Sequence, residues 1–160
     1  MATDFHLQIG DIKGESTHDK HKEWIDVLSF SWGATQQGTM EFGGGGGAGK
    51  VSYQDFHFTM LINKATPKLI EACSTGEHFP KAIFSARKAG KEQHEYLKIT
   101  FSDVIVTSYQ TGGGSGSEIP TESVSLGFSK VEVEYKEQKA DGSLGGTVKT
   151  GYDLKALKKI

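Results

Sequence analysis

The stretch FHFTMLI, residues 56–62, decides the fold class of this chain. Large apolar side chains occupy every second position of the stretch: Phe56, Phe58, Met60 and Ile62. Polar His57 and Thr59 lie between them, and Asp55 precedes them in the same alternation. Successive side chains of a β-strand point to opposite faces. This period of two therefore predicts a strand with one buried face, which can begin near Val51.

The same period recurs on both sides of this stretch. Further strands are predicted at residues 5–9, 28–32, 82–88, 94–101 with a continuation to 106, 124–135 and 148–154. In the 28–32 strand the large side chains need a core, which turns Ser29 and Ser31 the other way. Ala89-Gly90-Lys91 is predicted to form a hairpin turn between two strands.

The run at residues 124–135 changes parity. Its apolar side chains lie at even positions up to Phe128 and at odd positions from Val131 onward. An inserted residue moves all following side chains to the other face of a sheet, so this pattern predicts a β-bulge near Ser129-Lys130.

One helix is predicted after the 56–62 strand. Thr66 is a favourable N-cap, Pro67 suits the first helical position, and Gly76 is a suitable stop. Three side chains share the face expected to pack: Leu69, Ile70 and Cys73. About eight strands and one short helix predict a mainly β fold, in which residues 1–160 form a single β-barrel domain.

Composition excludes several classes of protein. The 160 residues carry 18 Lys and Arg against 20 Asp and Glu, a net charge of −2, so the basic excess of a nucleic-acid binder is absent. No apolar run reaches the roughly 18 residues of a membrane span. A single cysteine excludes an internal disulfide framework. The first residues lack the basic and apolar regions of a signal peptide, so synthesis in the cytoplasm without such a peptide is expected.

Glycine is the compositional anomaly. The chain has 21 glycines, concentrated at residues 43–49, 112–116 and 142–146, where they separate predicted strands. Long glycine loops lose much entropy when they become ordered. Two interpretations stay open: arms that order against a neighbouring subunit, or plain mobile connections.

Motifs of chemistry are weak. The run from Gly44 to Lys50 approaches a phosphate loop, but Val51 follows where a hydroxyl is needed, and a strand follows where a helix is needed. His18 and His21 lack further ligands at a zinc-like spacing, and two lysines flank them. Cys73 on the packed helix face is a poor nucleophile. The sequence predicts no enzyme, no metal site and no cofactor.

Several segments together resemble the Hcp family, the haemolysin-coregulated proteins of the type VI secretion inner tube. They span nearly the whole chain: residues 11–16, 25–28, 31–33, 43–51, 66–67, 72–76, 87–90 and 139–142. The glycine run into Gly49-Lys50-Val51 is the most distinctive of them. The resemblance implies a β-barrel with one helix that assembles into hexameric rings. Stacked rings would form a tube that the type VI apparatus secretes from a Gram-negative cell.

The resemblance also implies partners and contact residues. Partners are further copies of the chain, effector proteins in the lumen, and the sheath and spike-tip components, with no nucleic acid and no membrane insertion. Ser29 and Ser31, with Ser115 in the second glycine loop, are predicted to line the lumen and bind effectors. Subunit or ring contacts are predicted at eight positions: Gly43, Gly44, Gly45, Gly46, Gly47, Gly49, Gly90 and Lys158. The alternatives are a monomeric lectin or adaptor, which would not form rings, and an enzyme, which would have a cluster of perturbed pKa values in a pocket.

Overall fold

A computed structural model describes residues 3–38, 48–88, 94–116 and 119–160. These residues form twelve strands and one helix. In chain order the elements are β1 (Thr3–Ile9), β2 (Ile25–Val27), β3 (Ser29–Ser31), β4 (Ala34–Gly38), β5 (Ala48–Tyr53), β6 (Phe56–Leu61), α1 (Thr66–Thr75), β7 (Phe79–Lys88), β8 (Glu95–Gly112), β9 (Thr121–Gly127), β10 (Lys130–Gln138), β11 (Leu144–Asp153) and β12 (Lys158–Lys159). The fold is mainly β with one short helix, as the alternation of side chains predicts.

The long strand β8 organises the sheet. Its first half pairs with β7 on one side and β10 on the other, whereas its second half pairs with β9. The backbone of Asp103, between the two halves, has a positive φ of 54°. One path of paired strands runs β12-β11-β10-β8-β7-β1-β2, and a branch runs from β8 through β9 and β6 to β3. All these pairs are antiparallel.

The predicted β-barrel, closed or nearly closed, is not closed by the strand pairs of the described residues. β2 pairs with β1 and β3 pairs with β6, so the ladders among the described residues remain open between these two short strands. The N–H of Leu28, which separates β2 from β3, donates to the carbonyl oxygen of Thr59 at 2.8 Å. β4 and β5 form a separate two-stranded sheet. A sequence period identifies strands but not which strands pair, and this explains the difference.

One hydrophobic core joins the two branches of the sheet. The largest fully buried side chains include Phe56, Phe58, Phe84 and Phe101, and Phe56 lies 5.0 Å from Phe101 between ring centroids. The predicted alternation of the 56–62 stretch is confirmed as far as Met60, which is buried, whereas Ile62 lies beyond β6 and is 45% exposed. The strand does not extend back to Val51, because residues 48–53 pair with β4 instead.

Two further predictions need correction. β9 ends at Gly127 and β10 begins at Lys130, and the two pair with different halves of β8. The parity change there marks a passage between two strands and not a bulge within one. Leu28, expected in the core, is 52% exposed because it lies at the break between β2 and β3.

The helix is where the sequence predicts it. It covers Thr66–Thr75, and Gly76 ends it with a left-handed φ of 69°. The N-cap is Ala65 and not Thr66, because the Thr66 hydroxyl accepts the Asn63 N–H instead of capping the helix. Leu69 and Ala72 are buried, whereas Ile70 is 43% exposed and Cys73 is only half-buried.

Candidate functional site

A polar face crosses the four strands of the β3-β6-β9-β8 branch. The registers align two rows of outward side chains. One row is Ser29, Thr59, Ser123 and Gln110. The other is Ser31, His57, Ser125 and Ser108. We call these eight residues the hydroxyl face. The opposite side of the same strands carries core residues such as Phe58 and Val124, so burial of that side fixes the outward orientation of the rows.

Within each row a hydrogen bond joins side chains of neighbouring strands. The Oγ of Ser29 lies 2.6 Å from Oγ1 of Thr59, and Nδ1 of His57 lies 3.0 Å from Oγ of Ser125. His57 is the one titratable member of the eight residues. The hydroxyl face is therefore short-chained and without carboxylate or ammonium groups, and it can offer many weak hydrogen bonds but no charge-specific anchor.

The predicted lumen residues are only partly brought together. Ser29 and Ser31 are exposed on β3 and belong to the hydroxyl face. Ser115 is exposed in the connection that follows β8 and lies outside the two rows. Ser123 and Ser125 were not among the predicted site residues, although their alternation with Val124 and Leu126 could have identified them.

Most of the predicted ring contacts fall outside the residues that the structure describes. Gly43 to Gly47 and Gly90 lie outside the described residues, and Gly49 lies in β5. Lys158 is exposed in β12. Nearby Lys155 pairs within its own chain: its Nζ lies 3.2 Å from Oδ2 of Asp103. Hydrogen bonds from His78 and Lys155 lower the pKa of the Asp103 carboxyl.

Two apolar surfaces lie near opposite ends of the strand order. The first is a groove of about 250 Å³ beside β2 and β6, which we call the apolar groove. Its exposed hydrophobic residues are Leu28, Leu61, Ile62 and Ile119, and the carboxylates of Glu15 and Asp26 lie at the same groove. The second is the pair Tyr135 and Val148, which we call the apolar ridge. These two residues face each other across β10 and β11 and are 46% and 70% exposed.

Metal-binding clusters and membrane-spanning helices are both absent from the part of the chain that the structure covers. Across residues 3–38, 48–88, 94–116 and 119–160, no group of three or more His, Cys, Asp or Glu side chains is placed to hold a metal ion. Among the same residues, no helix has the length and apolar character needed to cross a membrane.

Comparison with known proteins identifies the family. The family model described as "Type VI secretion system effector, Hcp" matches residues 6–135. Protein hcp1 of Pseudomonas aeruginosa is 53% identical over 157 residues, 97% of each chain. A solved structure of a type six secretion system protein superimposes with a TM-score of 0.95 at 34% identity, over 99% of this chain and 100% of that one. Hcp1 from Salmonella typhimurium gives 0.84 at 43% identity over the whole of both chains. With a family match over most of its residues and similarity to these relatives along nearly its whole length, the chain belongs to the Hcp family of type VI secretion system effectors.

Proposed function

We propose that this protein is a non-catalytic structural subunit of the type VI secretion inner tube. Six copies close into a ring, rings stack into a tube, and the hydroxyl face lines a lumen that carries and shields effector proteins. The single observation behind this proposal is the hydroxyl face itself. Four strands bury one side in the core and present two uncharged rows on the other, with Ser29, Ser31 and Gln110 exposed.

Ring closure needs two different, complementary surfaces on each copy, because a closed ring uses head-to-tail contacts. The apolar groove lies next to β2, at one end of the main strand path. The apolar ridge lies on β10 and β11, toward the other end of that path. In the proposed ring, the groove of one subunit receives the ridge of the next.

Charge contributes to this contact on the groove side. Glu15 and Asp26 line the groove. Lys149 is next to Val148 in β11, but successive side chains of a strand point to opposite faces, so its ammonium group lies on the other side of the sheet, where it pairs with Glu132 at 3.7 Å. The proposed contact therefore depends on the apolar side chains of the groove and the ridge.

A lumen lined by the hydroxyl face suits varied cargo. Small hydroxyl side chains leave room and form hydrogen bonds without demanding a particular charge. Such a wall binds weakly, so cargo can be held during transport and released afterwards. The predicted stacking contacts at Gly43 to Gly49, Gly90 and Lys158 stay part of this proposal, as do contacts with sheath and spike-tip components. The proposed location is the cytoplasm at synthesis and the extracellular space after type VI secretion.

Two measurements test the proposal. Mass photometry of the purified protein is expected to show a homohexamer, whereas a stable monomer would support the adaptor alternative and contradict the ring. Co-purification from a secretion-competent strain then tests the lumen. Ser31→Gln is expected to keep the ring and lose effector recovery, because the longer side chain fills space on the hydroxyl face. Ser74→Gln, at an exposed serine of α1, is the matched control. Equal effector recovery by both variants would remove Ser31 from the binding surface.

A further inference from the structure

Three imidazole rings meet beside β1, away from the hydroxyl face. His6 belongs to β1, whereas His18 and His21 belong to the segment 10–24 that joins β1 to β2. The ring centroids form a nearly equilateral triangle: 5.2 Å between His6 and His21, 5.3 Å between His6 and His18, and 5.5 Å between His18 and His21. The rings of His6 and His21 are parallel. We call these three residues the histidine cluster.

Burial makes this cluster unusual. His6 is 5% exposed and His21 is 4% exposed. Each has one nitrogen beside a carboxylate: Nε2 of His6 lies 3.3 Å from Asp26, and Nε2 of His21 lies 3.7 Å from Glu95. The Nδ1 atoms of both rings are buried and find no hydrogen-bond partner within the described residues. Buried polar atoms usually have a hydrogen-bond partner, so two buried ring nitrogens without one suggest a role other than packing.

The cluster attaches the 10–24 segment to the sheet. The segment closes on itself through backbone hydrogen bonds from Gly14 to Glu23 at 2.7 Å and from Ser16 to Trp24 at 3.0 Å. His21 contributes a side-chain contact with Glu95 on β8, and both its ring and that of His18 lie against His6 on β1. A second attachment is the Lys64 N–H, which donates to Glu15 at 3.1 Å.

We propose that the histidine cluster is a proton-sensitive latch, which holds the 10–24 segment on the sheet while at most one ring is protonated and releases it when a second imidazole is protonated. The proposal goes beyond tube assembly and does not depend on it.

The surrounding charges decide how many protons the cluster accepts. The groups that face it are Asp4 on β1, Asp26 at β2, Arg87 on β7 and Glu95 on β8. One imidazolium can be balanced by a neighbouring carboxylate. A second would lie about 5 Å from the first in a site largely shielded from water, where like charges repel strongly. Arg87, whose Nη2 lies 3.9 Å from Glu95, already shares that carboxylate.

The titration of His6 has the direction that a latch requires. Burial lowers the pKa of His6 below its usual 6.5, and His21 and His18 lower it further, although Asp26 and Asp4 oppose the shift. The closed segment therefore binds fewer protons than the released one. Closure is fully favourable above pH 6.5 and weakens as the pH falls toward the folded pKa.

Trp24 provides a natural reporter. Its ring contacts the His21 ring edge-on at a centroid distance of 4.2 Å. In a Trp32→Phe background, Trp24 is the single tryptophan, since the sequence has two. Its emission is expected to change sigmoidally below pH 6.5. Hydrogen exchange of residues 11–24 is measured with and without Trp32→Phe and corrected for intrinsic rates. Its rate should rise about tenfold for each unit by which the pH falls, for each proton taken up on opening.

Variants separate the latch from general acid sensitivity. His18→Asn removes the less buried imidazole and should move the transition to lower pH. His78→Gln, at an exposed histidine bonded to Asp103, is the matched control and should leave the transition unchanged. The latch is wrong if the transition is the same in His18→Asn as in the wild type, or if exchange quickens equally throughout the sheet. A saturable change on adding equimolar Zn²⁺ at pH 7.5 would instead make the cluster a metal site and overturn the proposal.

Discussion

Replacing Ile62 by Asn tests the proposed subunit contact most directly. Ile62 lies just beyond β6 in the apolar groove and is 45% exposed in the single subunit. The substitution leaves the core untouched, because the buried face of β6 ends at Met60. Its effect should therefore fall on association and not on folding.

The size of the effect follows from burial. Covering a side chain that is 45% exposed recovers roughly half of the ~3 kcal/mol of full isoleucine burial. Placing an asparagine amide in the same contact without a partner costs about another 1 kcal/mol. Each contact is then weaker by about 2.5 kcal/mol. A ring of six copies has six such contacts and forms in five association steps, so the loss per step is slightly larger than the loss per contact. The protein concentration at which half of the hexamer has dissociated should therefore rise on the order of 100-fold.

Sedimentation across a dilution series measures that midpoint. Ile70→Asn is a matched control, because Ile70 on α1 is 43% exposed and lies outside both the groove and the ridge. The control should dissociate at the wild-type concentration. If Ile62→Asn and wild type share one midpoint, or if Ile70→Asn shifts it as much, the groove is not the subunit contact.

Two further substitutions test the fold that positions these surfaces. Gly14→Ala should lower the free energy of unfolding by about 3 kcal/mol in urea titrations. The new Cβ would overlap the carbonyl oxygen of Trp24, and only backbone atoms could move to relieve the overlap. An unchanged urea midpoint would contradict this close approach of the two backbone segments. Thr66→Val should cost about 2–3 kcal/mol by the same assay, because the buried Glu122 carboxylate loses the hydroxyl that donates to it at 2.5 Å. A neutral result would mean that Glu122 is satisfied in another way.

The candidate face was predictable from sequence only within single strands. Alternation placed Ser29 and Ser31 opposite Phe30, and the structure agrees, because burial of one side of a strand dictates the other. It could not place Ser31 beside His57 and Ser125, since the register depends on which strands pair. The pairing in turn depends on contacts far apart in the chain.

The errors arose where the chain changes partners. Leu28 and Phe128 continue the alternation of their strands, yet Leu28 lies at the break between β2 and β3, and Phe128 lies between β9 and β10. At such points the side-chain period persists while the backbone leaves one ladder and joins another. A period of two records the conformation of each residue, and it carries no information about the neighbour that the residue will meet.

The proposed ring contact could not be found in the sequence. Ile62 continues the apolar alternation of residues 56–62, and Val148 lies in a predicted strand, so neither differs there from a core residue, although both are exposed in the structure. Single exposed apolar residues are also common on protein surfaces. The strand order shows that these two residues lie far apart in the sheet, with Ile62 beside β2 and Val148 on β11 near the other end of the path. Two unlike apolar surfaces at opposite ends of one sheet favour head-to-tail association, which closes a ring when the rotation between copies allows it. A pair of matched patches on one face would instead favour a two-fold dimer.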